Sequence, residues 1–163
     1  KPLDQTSPGH NVELAWLLIH AADVVGFPPQ KYAEVLRRMC DHCIAYGMDQ
    51  EFGGIYADVP MDRPANLTEK QFWQQAETLV AMLDACLILG DEKYWRAFRN
   101  IHDFVFSKCI AWDAGGEWYE RLDRHGNVVD GALGHSWKSS YHTVRSMIQV
   151  VNRLKKLAAQ DEL

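Results

Sequence analysis

The sequence predicts an all-α chain, built of helix pairs joined by loops and interrupted by one short β-hairpin. Three observations carry that reading. Apolar residues recur at 3–4 spacing over most of the chain, between stops made by Gly and Pro. Segments that are hydrophobic on every face alternate with segments that carry a single apolar stripe, which suggests concentric layers. Only residues 116–130 combine short β segments with a central cluster of turn residues.

The first predicted helix covers residues 10–26. Pro8-Gly9 supplies a turn before it, and Gly26 with Pro28-Pro29 stops it. Leu14 to Ile19 is apolar all round, which predicts burial on both sides. A second helix covers 30–46, with Tyr32, Val35, Leu36, Met39 and Cys43 on one stripe and Gly47 at its end. Gly53-Gly54-Ile55-Tyr56 reads as a loop or short strand, and Asp58 to Asn66 as a loop. Thr68 is the predicted cap of a third helix over 69–89. Its buried stripe is Phe72, Ala76, Leu79, Leu83 and Cys86, with Trp73, Glu77, Val80, Asp84 and Leu87 beside it. Gly90 ends that helix and Asp91 caps a fourth, which runs towards residue 108 and buries Tyr94, Phe98, Ile101 and Val105. The hairpin sets Glu117-Trp118-Tyr119 against Val128-Val129 across a turn at 123–127. A last helix spans 138–158, with a charged end that frays.

A chain of 163 residues, 47% hydrophobic and 24% charged, is sized for one globular core. Its net charge of −5 speaks against a nucleic-acid surface, which is normally basic. No apolar run is long enough for a transmembrane helix and no signal peptide is visible, so the expectation is a cytoplasmic protein with no membrane partner. Cys40-Asp41-His42-Cys43 has CxxC spacing, but no second ligand pair completes a zinc site and no βαβ pattern frames a redox one. Cys40, Cys43, Cys86 and Cys109 are expected as buried, reduced thiols.

Residues with chemical potential gather at helix starts. His10 opens the first helix and His142 lies near the start of the last, each among aromatics and beside a charged neighbour. Glu13 is one turn on from His10, so both face the same way. Trp73 and Glu77 share a face, as do Lys138, His142 and Arg145. Taken alone, a histidine at a helix start is commonly a cap or a satisfied polar group. Glu13 and Glu77 sit in apolar stretches, where an unpaired charge is costly, so they are structural ion pairs or site residues. Trp16 and Trp118 read as core. His20, His42, His102 and His125 read as packing or surface residues, and the role of His135 is open.

Four segments, in order, then carry a family resemblance. Gly9-His10-x-x-Glu13-x-x-Trp16, Trp73-Gln74-Gln75-Ala76-Glu77, and Trp137-Lys138 followed by Tyr141-His142 and Arg145 resemble motifs of the N-acylglucosamine 2-epimerase and cellobiose 2-epimerase superfamily. The turn Gly116-Glu117-Trp118-Tyr119, with Asp123 to Gly126 after it, is similar to that family's late hairpin. Phe72 and Gln74 depart from its second motif, where a second aromatic and a Pro are frequent.

The resemblance is to the C-terminal half of the family. It implies half of an (α/α)6 barrel, with active-site loops at one mouth. Half a barrel exposes an apolar inner face, which predicts self-association or a missing N-terminal half. The family's further active-site groups, an Arg among them, belong to that other half and have no counterpart in this sequence.

The implied ligand is a small-molecule sugar, with no metal and no cofactor. By the resemblance His10 and His142 are the acid/base pair that moves the proton at C2 of an aldose through an enediolate. Histidine suits the task, since its unperturbed pKa of about 6.5 lies near working pH. Trp73 would stack on the sugar ring, and Glu77 would bind hydroxyls or assist ring opening. Glu13 can orient His10 or hold a hydroxyl, and Arg145 can stabilise the enediolate oxygen or keep Glu77 ionised.

The leading expectation is therefore an N-acylglucosamine 2-epimerase-like enzyme. An aldose–ketose isomerase of the mannose isomerase type and a cellobiose 2-epimerase share the same motifs. A glycoside hydrolase would need two carboxylic acids flanking the bond, drawn from Glu77 with Glu13, Asp84 or Asp130; the histidine motifs speak against it. The remaining reading is an inactive or carbohydrate-binding half-barrel fragment.

Overall fold

The computed structural model describes residues 4–161. Helices α1 (Pro8–Val24), α3 (Phe72–Leu89) and α5 (Tyr141–Asp161) form one layer, and α2 (Ala33–His42) and α4 (Glu92–Phe104) form a second behind it. α3 is central because its sequence has almost no polar face to give to water: from Phe72 to Ala85 every residue but Trp73 is buried. α1 and α5 pack along its two flanks. α2 and α4 are amphipathic, as their stripes predict. α2 buries Leu36 and Cys40, and α4 buries Tyr94, Ala97, Phe98, Ile101 and Phe104. Each outer helix ends in a π-helical turn, Cys43–Gly47 and Val105–Cys109.

Because each outer helix carries the chain back, α1, α3 and α5 run parallel and start at the same end. Short strands gather there. β1 (Gln5–Thr6) pairs antiparallel with β2 (Val59–Pro60) just ahead of α1. β3 (Lys70–Gln71), β4 (Arg121–Leu122) and β5 (Val128–Asp130) form an antiparallel sheet in that order, ahead of α3 and α5.

Several predicted boundaries move. Pro8 and Gly9 lie inside α1, not in a turn before it. Ser7 is the N-cap, its Oγ accepting from His10 N at 3.4 Å. Thr68 caps nothing. Residues 70–71 are drawn into β3, so α3 starts at Phe72 with Gln71 ahead of it. The first hairpin strand is Arg121–Leu122, because pairing with β3 sets the register; Trp118 instead bridges Ile110 and packs in the core. α5 begins at Tyr141, which leaves Lys138 outside the helix. α1 is not buried on both sides, since Leu14 is 52% exposed. Asp91 does cap α4, accepting from Lys93 N at 2.9 Å, and Gly90 ends α3 in the left-handed conformation.

The apolar face expected of half a barrel is present. Tyr141, Val144, Ile148 and Val151 are exposed along one side of α5, at 3–4–3 spacing. All four cysteines are free; Cys40, Cys43 and Cys109 are buried, and burial pushes the Cys43 thiol up to about 12. No helix among the described residues is long and apolar enough to cross a membrane.

Two contacts hold the helix starts in place. Gly9 abuts α3 so closely that a Cβ there would lie 2.4 Å from Gln74 Cγ. Gln74 in turn donates to Ser7 Oγ and to Ala57 O, both at 2.9 Å. Gly9→Ala should therefore cost about 1–3 kcal/mol by overpacking and spread the starts of α1 and α3. An unchanged thermal midpoint would refute the close approach.

The second contact is a buried ion pair. Lys70 Nζ, ahead of α3, donates to Asp49 Oδ2 at 3.0 Å, Gly53 O at 2.6 Å and Arg124 O at 2.8 Å, and lies 4.4 Å from the Phe104 ring centroid. Burial alone would raise the Asp49 carboxyl. Its bonds from Arg124, Lys70 and the Phe52 amide outweigh that and hold it well below the ordinary 3.8. A depressed carboxyl contributes stability that is fully present above 3.8 and lost as pH falls below it. Asp49→Asn should flatten the dependence of unfolding free energy on pH in the acid range. Denaturant titrations across that range check this, and an unaltered slope would count against Asp49 as its source.

Candidate active site

The parallel starts of α1, α3 and α5 bring one group of side chains together. α1 supplies His10, Glu13 and Trp16; α3 supplies Trp73 and Glu77; α5 supplies His142 and Arg145. All six residues expected from the sequence fall in this group, and Trp16 joins them.

Glu77 is its centre. The residue is fully buried, yet both carboxylate oxygens are satisfied. Oε2 accepts from Trp16 Nε1 at 2.8 Å. Oε1 accepts from His142 Nδ1 at 2.6 Å and from Arg145 NH2 at 2.5 Å. The same Arg145 nitrogen donates to Glu13 Oε1 at 2.8 Å. The guanidinium stacks over Trp16, 5.0 Å from the ring centroid, and over Tyr141, at 4.1 Å, and its NH1 donates to the Tyr141 hydroxyl. Burial alone would lower the Arg145 value; the bonds to Glu13 and Glu77 outweigh it and raise the guanidinium above its ordinary range.

This geometry changes three roles read from the sequence. Glu77, expected to bind sugar hydroxyls, has its carboxylate oxygens bonded to three donors from the protein itself, His142 among them. Glu13 makes its bond to Arg145 rather than to His10. Lys138 faces elsewhere: its ammonium donates to Trp118 O and, at 3.1 Å, to Ala132 O, so it does not share the His142 face.

The two histidines are more open. The His142 side chain is 25% exposed and His10 is exposed. Each packs on Trp73, with ring centroids 4.5 Å away for His10 and 5.3 Å for His142. Trp73 is held by its own indole, which donates to Gln71 Oε1 at 2.9 Å. Because the Glu77 carboxylate can only accept, His142 Nδ1 carries the hydrogen of their bond. In the neutral ring that tautomer makes Nε2 the nitrogen with the lone pair.

Ligand atoms of Glu13, Glu77 and His142 lie within 4.8 Å of one another, a grouping that suits a cation. The Arg145 guanidinium already provides the positive charge there, bonded to both carboxylates. The same sharing weakens the hydrolase reading, since Glu13 and Glu77 clasp one nitrogen instead of flanking a gap. Asp84 is likewise taken, in a two-bond pair with Arg153 at 2.7 Å each. A cavity of about 710 Å³ opens around that pair, at the far ends of the three helices, and neither His10 nor His142 lines it.

The N-acylglucosamine 2-epimerase (GlcNAc 2-epimerase) family model matches residues 3–146, and so takes in every residue of this cluster. The chain belongs to that family. Members of the N-acylglucosamine 2-epimerase family are carbohydrate epimerases and isomerases. The chain is 27% identical over 150 residues to the cellobiose 2-epimerase of Eubacterium cellulosolvens, covering 91% of this chain and 36% of that protein. It is 26% identical over 160 residues to the human N-acylglucosamine 2-epimerase, covering 96% and 37%. Its fold superposes on a crystal structure of D-mannose isomerase with a TM-score of 0.80, at 25% identity, over 90% of this chain and 37% of that one. The five helices are thus part of an (α/α)6 barrel, and the chain spans little more than a third of the length of these relatives.

Two further residues join the cluster. Trp16 reads as core from the sequence, and it is core, at 1% exposed. Its position one turn beyond Glu13 is the sign in the sequence that its indole N–H faces the site. Tyr141 lies inside a motif, and its contact with Arg145 is visible only in the fold.

Proposed function

We propose that this chain carries the proton-transfer wall of a sugar 2-epimerase of the N-acylglucosamine type, acting at C2 of an aldose. The reading rests above all on one observation: the buried Glu77 carboxylate holds the Nδ1–H of a partly exposed His142, beside an exposed His10 on the same indole.

The chemistry follows from that arrangement. The open-chain sugar lies along Trp73, whose ring offers an apolar face to the C–H side of a pyranose or its open form. One histidine takes the C2 proton, and the electron pair moves into the C1 carbonyl to give an enolate, which is an enediolate where C2 carries a hydroxyl instead of an acylamino group. The other histidine returns a proton to the opposite face of C2, which inverts that centre and restores the aldehyde. His142 is suited to the first step, because Glu77 fixes the hydrogen of the neutral imidazole on Nδ1, which makes Nε2 the base, and stabilises the imidazolium that forms. Arg145 balances the buried charge of Glu77 and Glu13 and places positive potential near the developing oxyanion.

Return of the proton to C1 instead of C2 yields a ketose, so an aldose–ketose isomerase is the second reading. It is favoured by the likeness to D-mannose isomerase, as close in fold as any epimerase compared. A cellobiose-type substrate is the third, and the open side of the cluster sets no limit on a second sugar ring.

Proton NMR in D₂O tests these together. The protein is incubated separately with N-acetylglucosamine, N-acetylmannosamine, mannose, glucose and cellobiose. Deuterium entering C2 with the 2-epimer appearing is the expected result. A ketose in its place assigns the isomerase. Absence of exchange with every sugar, both in this chain and in a longer protein that contains it, would overturn the proposal and favour a half-barrel that only binds carbohydrate or packs.

A further inference from the structure

Tyr141 stands one residue ahead of His142, more than half exposed, and the reaction just outlined gives it no work. Resting on that reaction, we infer that Tyr141 is a positioning residue: it clamps the Arg145 guanidinium and through it sets the Glu77 oxygen that orients His142.

The argument is a count of restraints on one planar group. Arg145 NH2 is fixed by two carboxylates, Glu13 Oε1 and Glu77 Oε1. Those two bonds meet at a single nitrogen, so the guanidinium plane can still swing about it. Arg145 Nε has no hydrogen-bond partner among the described residues. NH1 has one, the Tyr141 hydroxyl, and the Tyr141 ring lies 4.1 Å from the guanidinium carbon. Trp16 offers a second ring at 5.0 Å, but Trp16 is itself pinned to Glu77 and buried. Tyr141 is therefore the movable jaw of the clamp. Orientation of the plane matters because Glu77 Oε1 is shared between Arg145 NH2 and His142 Nδ1. A swing of the guanidinium pulls on the oxygen that selects the His142 tautomer and ring angle.

Two measurements test this. The first is kinetic, using C2 deuterium exchange. Tyr141→Ala should lower kcat about 30-fold with KM unchanged within about twofold, and Tyr141→Phe, which keeps the ring, should recover most of that loss. In an Arg145→Ala background the same Tyr141→Ala change should have no further effect on kcat, since the residue acts only through the guanidinium. An equal fall in both backgrounds would overturn the inference, as would an effect confined to KM, which marks direct contact with sugar.

The second measurement does not depend on catalysis. In the ¹⁵N-labelled chain, the two hydrogens of Arg145 NH1 should show separate resonances from slowed rotation about the Cζ–N bond, and these should merge in Tyr141→Ala while the NH2 pair, held by Glu13 and Glu77, stays resolved. Identical Arg145 spectra in the two proteins would overturn the clamp. Absence of exchange both in this chain and in a longer protein that contains it, together with the spectral change, would sink the epimerase reading and leave the clamp standing.

Discussion

Replacing His142 by Ala is expected to abolish C2 proton exchange while leaving the fold intact. General acid–base groups contribute about 10²–10⁴-fold, and here the lost group is the partly exposed histidine bonded to Glu77. The fold should survive because little rests on this side chain. His142 is partly exposed, and its one hydrogen bond is to a carboxylate that keeps two other donors, Trp16 and Arg145. The stability loss should stay near about 1–2 kcal/mol. Deuterium exchange by NMR and a thermal melt on the same sample check both halves. Retained exchange would remove His142 from the chemistry. Loss of the folded signal would show the residue to be structural.

Changing Glu77 should have the second large effect, and two substitutions separate its two causes. Glu77→Gln keeps the shape and the burial. A carboxamide has one oxygen for three donors: with its NH₂ towards Trp16 it loses that bond and the charge that stabilises the imidazolium, and with its NH₂ towards His142 and Arg145 the imidazole must accept at Nδ1 and carry its hydrogen on Nε2. Making an orienting carboxylate an amide elsewhere costs about 10⁴ in kcat. A loss of about 10²–10⁴ with near-normal KM is expected. Glu77→Ala adds a structural penalty. It strands Trp16 Nε1 and one bond of Arg145 inside the protein, and breaking such a buried ion pair costs about 3–5 kcal/mol. Urea unfolding of the two variants is the check. Equal stability in Ala and wild type would show that Glu77 is not the electrostatic centre of the cluster. A Gln variant with full kcat would show that His142 needs no orienting carboxylate.

The departures from the predicted elements have one kind of cause. Asp91 and Gly90 were legible because a cap or a left-handed stop is decided within a few residues of itself. Thr68 fits a cap equally well in sequence. It fails because Lys70 is claimed by partners far along the chain: β4 through its backbone, and Asp49, Gly53 and Arg124 through its ammonium. The hairpin strand shifts for the same reason, since pairing of Gln71 with Arg121 sets its register. Lys138 has helical spacing to His142, but its ammonium is bound to Trp118 O, and the helix starts after it.

By itself the sequence determined the helical class and the two kinds of helix, because periodicity is a local property that a linear string preserves. The candidate site residues His10, Glu13, Trp73, Glu77, His142 and Arg145 rest on motifs that resemble those of a known family. Only the tertiary structure decided what those residues do to one another. The three bonds to Glu77 join residues 61, 65 and 68 positions apart. Burial removes the solvent that would otherwise satisfy its carboxylate, so the charge must be met by whichever donors packing delivers. That requirement, set by the parallel packing of α1, α3 and α5, bonds the Glu77 carboxylate to Trp16, His142 and Arg145.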